Sequence, residues 1–474
     1  VAARFDEWAL TMAHDYWKLG AAGLSAAYST GAATPVGVVT ELATRIERLN
    51  PQVNAYVSIA DDLLEQARDS QKRLAGGAAR SALEGVPVAL KDNLSMAGLP
   101  AAWGGAVFSE TRESDELPVQ RLREAGAILV GKTNCPEFAV EGYTANSTFG
   151  VTRNPWDLSL TPGGSSGGSV AAVATGLAPV ALGTDGGGSI RRPCGHTGLY
   201  GLKPTSGSVP RHGGLPQILM DFEVVGPIAR TVQDLRMVYS AIAGPDRLDP
   251  TSRAITPQRK SGTALKILFV ERFGENPCDP QIVASARTMA SQLEAMGHQI
   301  VRGALPFNLT ALDAFWGTFA QIGLAHIAAM VPEMANRASP LYLDMARQGE
   351  DIPAQVLFAA LEAVRDLRSE VSLGFAEWDV IMTPSAAAQP WPAGDGFPDK
   401  IDGQSVGPRG HAIYTGWVNA SGHPGVTVPV RPDAAGLPIG VQLIGDRFSE
   451  EMLLDLASQI EAEGPGWAFP PFAS

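Results

Sequence analysis

Residues 163–189 read GGSSGGSVAAVATGLAPVALGTDGGGS. Two Gly/Ser-rich turns, Gly163–Ser169 and Gly186–Ser189, bracket a run of small and apolar residues. Glycine lets a backbone approach a ligand closely and take positive φ. A serine hydroxyl can attack a carbonyl or relay a proton. The hydrophobic flanks argue against a flexible Gly/Ser tether. The segment reads instead as a helix opening after the first turn, Ala171–Thr175, and a strand, Pro179–Leu182, leading into the second.

The same alternation continues outward. Residues 36–49, 61–75 and Glu116–Ala125 read as helices, the first with apolar positions at clear helical spacing. Val86–Leu90 and Ala127–Gly131 are short strand-like apolar runs. Downstream, Leu265–Val270, Gln299–Val301, Asp379–Thr383, Gly425–Val430 and Ile439–Ile444 read as strands. Helices are expected over Ile282–Met296, 311–330, 352–378 and Glu450–Glu461. Strands alternating with helices predict an α/β layer fold with helices on both sheet faces. No internal repeat or domain-scale linker is visible, so residues 1–474 are expected to form one domain. The apolar helical stretch within 306–378 is expected to be an insertion beside the substrate pocket.

The 474 residues carry 36 Lys+Arg against 49 Asp+Glu, a net charge of −13, with 45% hydrophobic residues. That balance is ordinary for a globular enzyme. An acidic chain without a basic run disfavours a nucleic-acid partner. Cys135, Cys194 and Cys278 are odd in number and form no CxxC pair, so neither a zinc site nor a disulfide framework is indicated. A cytoplasmic location is expected. The opening VAARFDEWALTMAHDYW contains acidic residues and no uninterrupted apolar core, unlike a signal peptide. Val170–Leu182 is interrupted by Gly176 and Pro179 and falls short of the about 20 residues a membrane span needs. No metal, cofactor or membrane partner is expected.

A serine hydrolase needs a hydroxyl that loses its proton as it attacks, and donors where the carbonyl oxygen turns negative. Asp185–Gly186–Gly187–Gly188–Ser189 offers both, because consecutive glycines let several N–H groups face one hollow. The first turn matches G-x-S-x-G in two registers, centred on Ser165 or Ser166, a pattern shared with nucleophile elbows that use a histidine. No G-K-[ST] follows, so a phosphate-binding loop is excluded. Lys91 ends the VPVAL run. Partial desolvation there would lower its pKa toward that of a general base, whereas a surface lysine would keep its charge in water.

PGGSSGGS (162–169), GTDGGGSIRRP (183–193) and GLKPTSGSVP (201–210) together resemble the signature of the amidase signature family, the Ser–cis-Ser–Lys hydrolases. GVPVALKDN and GKTNCPEF upstream fit the same family, as do GPIARTVQD, SGHPGVTVP and GLPIGVQLIG downstream. The resemblance runs from about residue 36 to the C-terminus, with its core at about 85–230. It implies a central mixed β-sheet covered by helices. Ser189 would be the nucleophile, Ser165 the bridging serine on a cis peptide bond, and Lys91 the base. The N–H groups of Gly186, Gly187, Gly188 and Ser189 would form the oxyanion hole. Ser166, Ser169, Asp185 and Arg191 would play supporting roles, and no histidine would be needed.

The resemblance also implies a small-molecule amide or carbamate substrate and is compatible with a homodimer. Stand-alone amidases, aryl acylamidases and urethanases are the members it most evokes. Some members are instead subunits of tRNA-dependent amidotransferases, which is the alternative reading. Trp103, Tyr143, Ile218–Met220, Trp391 and Trp417 are candidates to line an aryl-binding pocket or to be core. Gly186 is expected to open space beside the oxyanion hole.

Overall fold

The computed structural model describes residues 15–252 and 264–473. Residues 1–14, most of the stretch read above against a signal peptide, lie outside them. One mixed sheet of eleven strands organises the chain. In chain order these are β1 (Tyr56–Ile59), β2 (Pro87–Lys91), β3 (Ile128–Thr133), β4 (Val180–Asp185), β5 (Tyr200–Lys203), β6 (Val224–Ala229), β7 (Lys266–Phe269), β8 (Gln299–Arg302), β9 (Val380–Pro384), β10 (Gly425–Val430) and β11 (Ile439–Gly445). Their order across the sheet is β1-β3-β2-β4-β6-β5-β10-β11-β9-β7-β8. The β3-β2-β4 and β9-β7-β8 groups are parallel, and the remaining neighbours run antiparallel.

Helices cover both faces, and β11 shows why. A Cβ built on Gly440 would meet Gly195 of the Arg191–Thr197 helix, whereas one on Gly445 would meet Leu453 of the Glu450–Glu463 helix. Residues an odd number apart on a strand point to opposite faces. Double coverage explains the sequence pattern: β2, β3, β4, β6, β9 and β11 are buried at every position. Their runs are therefore continuously apolar rather than alternating. The edge strands β1 and β8 are partly open.

The expected helices form with their ends moved by a few residues. Pro35–Val53 begins where Thr34 caps Gly37 N–H at 3.1 Å and Pro35 takes the first turn. The helix after the first Gly/Ser turn spans Gly167–Ala174, earlier than the apolar run alone indicates. The span 352–378 is one helix, Ala354–Gly374, preceded by Met334–Arg337 and Pro340–Glu350. Three strands go beyond the sequence reading. β5 and β6 are punctuated by Gly201, Gly226 and Pro227, and β1 has only four residues. Among the described residues, no helix is long and apolar enough to cross a membrane.

Candidate active site

β2 and β4 are parallel neighbours with Leu90 opposite Leu182. Their C-terminal ends therefore coincide, the edge where α/β sheets place ligands. Lys91, the last residue of β2, meets Thr184 there. Its Nζ lies 2.7 Å from Ser165 Oγ, 2.8 Å from Thr184 Oγ1 and 3.4 Å from Thr184 O. Asn93 Nδ2 also donates to Thr184 Oγ1, at 3.0 Å. Lys91 is fully buried, and that burial pushes its pKa down to about 8. The cause is desolvation of the ammonium, only partly opposed by the negative fields of surrounding acidic groups.

Ser165 follows a cis peptide bond from Gly164. Gly164 has no room for a side chain, since a Cβ would sit 2.2 Å from Tyr143 O. Ser166 N–H donates to Ser189 O at 3.1 Å, which joins the two turns directly. Ser166 Oγ donates to Thr184 O at 3.2 Å. Ser169 points elsewhere: its hydroxyl pairs with Thr133 Oγ1 at 2.7 Å and reaches Leu182 O at 3.3 Å, tying the helix to the sheet.

The second turn is held by one carboxylate. Asp185 Oδ1 accepts from Gly188 N–H at 2.6 Å, and Oδ2 accepts from Ile190 and Arg191 N–H at 3.1 and 3.3 Å. Arg191 adds a bidentate pair, Nε to Oδ2 and Nη2 to Oδ1, both at 3.0 Å. Burial alone would raise the Asp185 pKa. The Arg191 charge and its hydrogen bonds, with one from Asn419, hold the carboxyl well below the usual carboxylate range. Arg191 in turn donates to Gln442 Oε1 at 2.8 Å and Asn419 Oδ1 at 2.5 Å. Gly188 has φ +114°, and a Cβ there would lie 2.3 Å from Thr415 Oγ1, so only glycine fits.

This geometry corrects one expectation. The family resemblance places Gly188 N–H among the oxyanion donors, but it points at Asp185. Among the described residues, the N–H groups of Gly186, Gly187 and Ser189 have no protein acceptor. Ser189 itself is 7% exposed, whereas Ser165 is 1% exposed.

Comparisons with known proteins show the family and the fold. The amidase family model matches residues 37–454. The chain belongs to the amidase family. A putative amidase of Mycobacterium bovis is 36% identical over 464 residues, covering 95% of this chain and 96% of that one. A glutamyl-tRNA(Gln) amidotransferase subunit from Picosynechococcus sp. is 35% identical over 464 residues, 90% of this chain and 94% of the relative. Among solved structures, a bacterial aryl acylamidase of the amidase signature family superposes with a TM-score of 0.87 at 27% identity, covering 96% of this chain and 98% of that one. The protein is thus an amide C–N hydrolase of the amidase signature fold.

In this amidase, no histidine among the described residues contacts a turn serine. His196 meets Ala388 O at 3.2 Å, His423 meets Ser421 Oγ at 3.0 Å, and His212 lies exposed. The nucleophile-elbow reading therefore finds no histidine base among the described residues. The expected pocket aromatics divide. Trp103 packs between Phe108 and Phe138, and Trp417 against Phe307, both in the core. Trp316, which the sequence does not single out, has its ring edge against Gly187, where an added Cβ would sit 2.8 Å away. The space beside Gly186 is not open: Leu219 Cδ1 would lie 2.7 Å from a Cβ there. Leu219 and Trp316 thus wall the glycine turn. Thr184, Arg192, Thr415, Asn419 and Gln442 also join the site without having stood out in the sequence. Arg192 has a local signal in SIRRP, and its guanidinium donates to Gly187 O and, at 2.9 Å, to Thr415 Oγ1. Thr184 immediately precedes Asp185 on β4, whereas Thr415 and Asn419 come from the short Gly416–Ala420 helix and its cap, and Gln442 from β11.

Proposed function

We propose that Ser189 is the nucleophile of an acyl-enzyme mechanism, with Ser165 and Lys91 as its proton relay. The observation that carries this is a fully buried lysine whose Nζ lies 2.7 Å from Ser165 Oγ, on the peptide turn bonded to Ser189 O. Neutral Lys91 takes the Ser165 proton while Ser165 Oγ takes the Ser189 proton. Ser189 Oγ then bonds to the carbonyl carbon. The developing oxyanion accepts from the N–H groups of Gly186, Gly187 and Ser189, which need no reorganisation to meet it. As the C–N bond breaks, the relay runs backward and Ser165 protonates the leaving nitrogen. Water, deprotonated through the same serine, hydrolyses the ester and restores Ser189.

Substrates are amides, anilides or carbamates with an apolar or aryl group against Leu219 and Trp316, with hydrazides and esters as further candidates. A cytoplasmic setting accords with three buried, free cysteines. The test is a panel of p-nitroanilide, primary amide, carbamate and ester substrates on wild type and Ser189→Ala. Turnover by the wild type alone is expected, and equal rates would overturn the assignment. The 35% identity to an amidotransferase component favours a second reading, a chain that acts only within a complex. Co-purification with a partner, together with inertness of the isolated chain on the whole panel, would establish it.

A further inference from the structure

Gly187 is the least restrained donor of the second turn. It stands between two other glycines, Gly186 and Gly188, so no side chain restricts the peptides on either side of it. Its N–H has no protein acceptor among the described residues, so no bond of its own sets its direction. A donor that meets a developing oxyanion has to be aimed beforehand. The aim of this one is inherited from the next peptide, Gly187–Gly188.

That peptide is held at both ends by opposite charges. Its N–H, from Gly188, donates to Asp185 Oδ1 at 2.6 Å. Its carbonyl, Gly187 O, accepts from Arg192 Nη1 and, at 2.7 Å, from Thr415 Oγ1. Arg192 Nη1 also donates to Thr415 Oγ1 at 2.9 Å, which closes a triangle of hydrogen bonds on one carbonyl. Arg192 is 5% exposed and Thr415 is fully buried, so little water competes for these bonds. An anion at the N–H end and a cation at the C=O end favour the same orientation of the peptide, and each bond is charge-assisted. Turning the peptide over would set Gly187 O against the Asp185 carboxylate and Gly188 N–H against the Arg192 guanidinium.

The two ends differ in what else they hold. Asp185 also binds the N–H groups of Ile190 and Arg191 and the Arg191 guanidinium. Arg192 has one other contact on the turns: Nη2 lies 3.5 Å from Gly164 O, at the long limit for such a bond. Its main grip is therefore on Gly187 O. Resting on the hydrolase reading above, we propose that Arg192 is a positioning residue for the oxyanion hole: with Thr415 it pins Gly187 O and so aims the Gly187 N–H at the carbonyl oxygen of the substrate.

The test compares an acyl p-nitroanilide with its thioamide counterpart, both followed by p-nitroaniline release. Sulfur is larger than oxygen and a weak acceptor, so the thioamide gains little from the oxyanion donors. The oxo-to-thio ratio of kcat/KM thus reports on the hole, and loss of folded enzyme cancels because both substrates are read on one preparation. Arg192→Met keeps bulk but removes the charge and the donors. It should lower the ratio by about tenfold, with the loss in kcat of the p-nitroanilide rather than in KM. Arg192→Lys, which returns a charged donor, should recover part of the ratio. Thr415→Val should lower it by about threefold. Both substrates slowing alike in Arg192→Met, with the ratio unchanged, would overturn the proposal, because Arg192 would then act through Gly164 O on the relay turn. If Arg192→Met yields no soluble enzyme, an unchanged ratio in Thr415→Val overturns it. Failure of wild type to outpace Ser189→Ala on either substrate would instead overturn the hydrolase reading on which the proposal rests.

Discussion

The two glycine-serine turns look alike in sequence and are held in opposite ways. In the first, side chains answer one another: Ser165 faces Lys91, Ser166 donates to Thr184 O, and Ser169 pairs with Thr133. In the second, a single carboxylate grips the backbone, and the N–H groups of Gly186, Gly187 and Ser189 have no protein acceptor among the described residues. Neither turn has every N–H satisfied, because those of Gly164 and Ser165 in the first also lack a protein acceptor among the described residues. What tells the turns apart is the anchor, side-chain hydroxyls in the first and the Asp185 carboxylate on backbone N–H groups in the second.

Substitutions sharpen this contrast. The largest effects belong to the relay: Ser189→Ala or Lys91→Ala should each lower kcat/KM by at least about 10³-fold, because nucleophile and base act as one unit. Steady-state assays with circular dichroism as a folding control check this. Asp185→Asn strikes the grip on the second turn. It leaves Arg191 buried and uncompensated, so unfolding free energy should fall by about 3–5 kcal/mol, read by denaturant titration. The stability that Asp185 contributes is present above its unfolded pKa. It should be lost only as pH falls through a folded value well below the usual carboxylate range.

The pH profile tests the first turn. In the proposed relay Lys91 works as the neutral amine, and burial pushes its pKa down to about 8. Below that value kcat/KM should rise by about tenfold per pH unit, then level off above it. A flat profile between pH 6 and 9 would remove lysine as the base. The smallest effect separates anchor from machinery. Ser169→Ala should cost only about 1 kcal/mol of stability, by thermal or denaturant unfolding, and leave kcat/KM within a few-fold of wild type.

Much of the catalytic half was legible. PVALK, AILVG and APVAL are apolar runs because both faces of the sheet are covered, and each gave its strand. Lys91, Ser165 and Ser189 were singled out by the family resemblance rather than by residue chemistry alone, and the fold brings Lys91 Nζ to 2.7 Å from Ser165 Oγ. The bracing half was not legible. Thr415, Asn419 and Gln442 lie more than 220 residues from Asp185 and Arg191: the first two sit at the short Gly416–Ala420 helix that precedes β10, and Gln442 is on β11, which pairs with β10 beside β5. The Gly188 assignment failed for a local reason. Asp185, three residues earlier, bends its side chain back to take that N–H. Trp316 was hidden because an aromatic on an apolar segment reads as core until the glycine it covers is known, whereas Leu219 lies in the Ile218–Met220 stretch already named as a pocket candidate.

The central claim is that the acyl group passes through Ser189 and not through a serine of the first turn. The direct measurement is acid quench of wild type during turnover of an activated ester, followed by peptide mass mapping. The account predicts one acyl group on Ser189 of the peptide that contains GTDGGGS, absent in Ser189→Ala. Acylation of Ser165 or Ser166, or acylation that persists in Ser189→Ala, would contradict it.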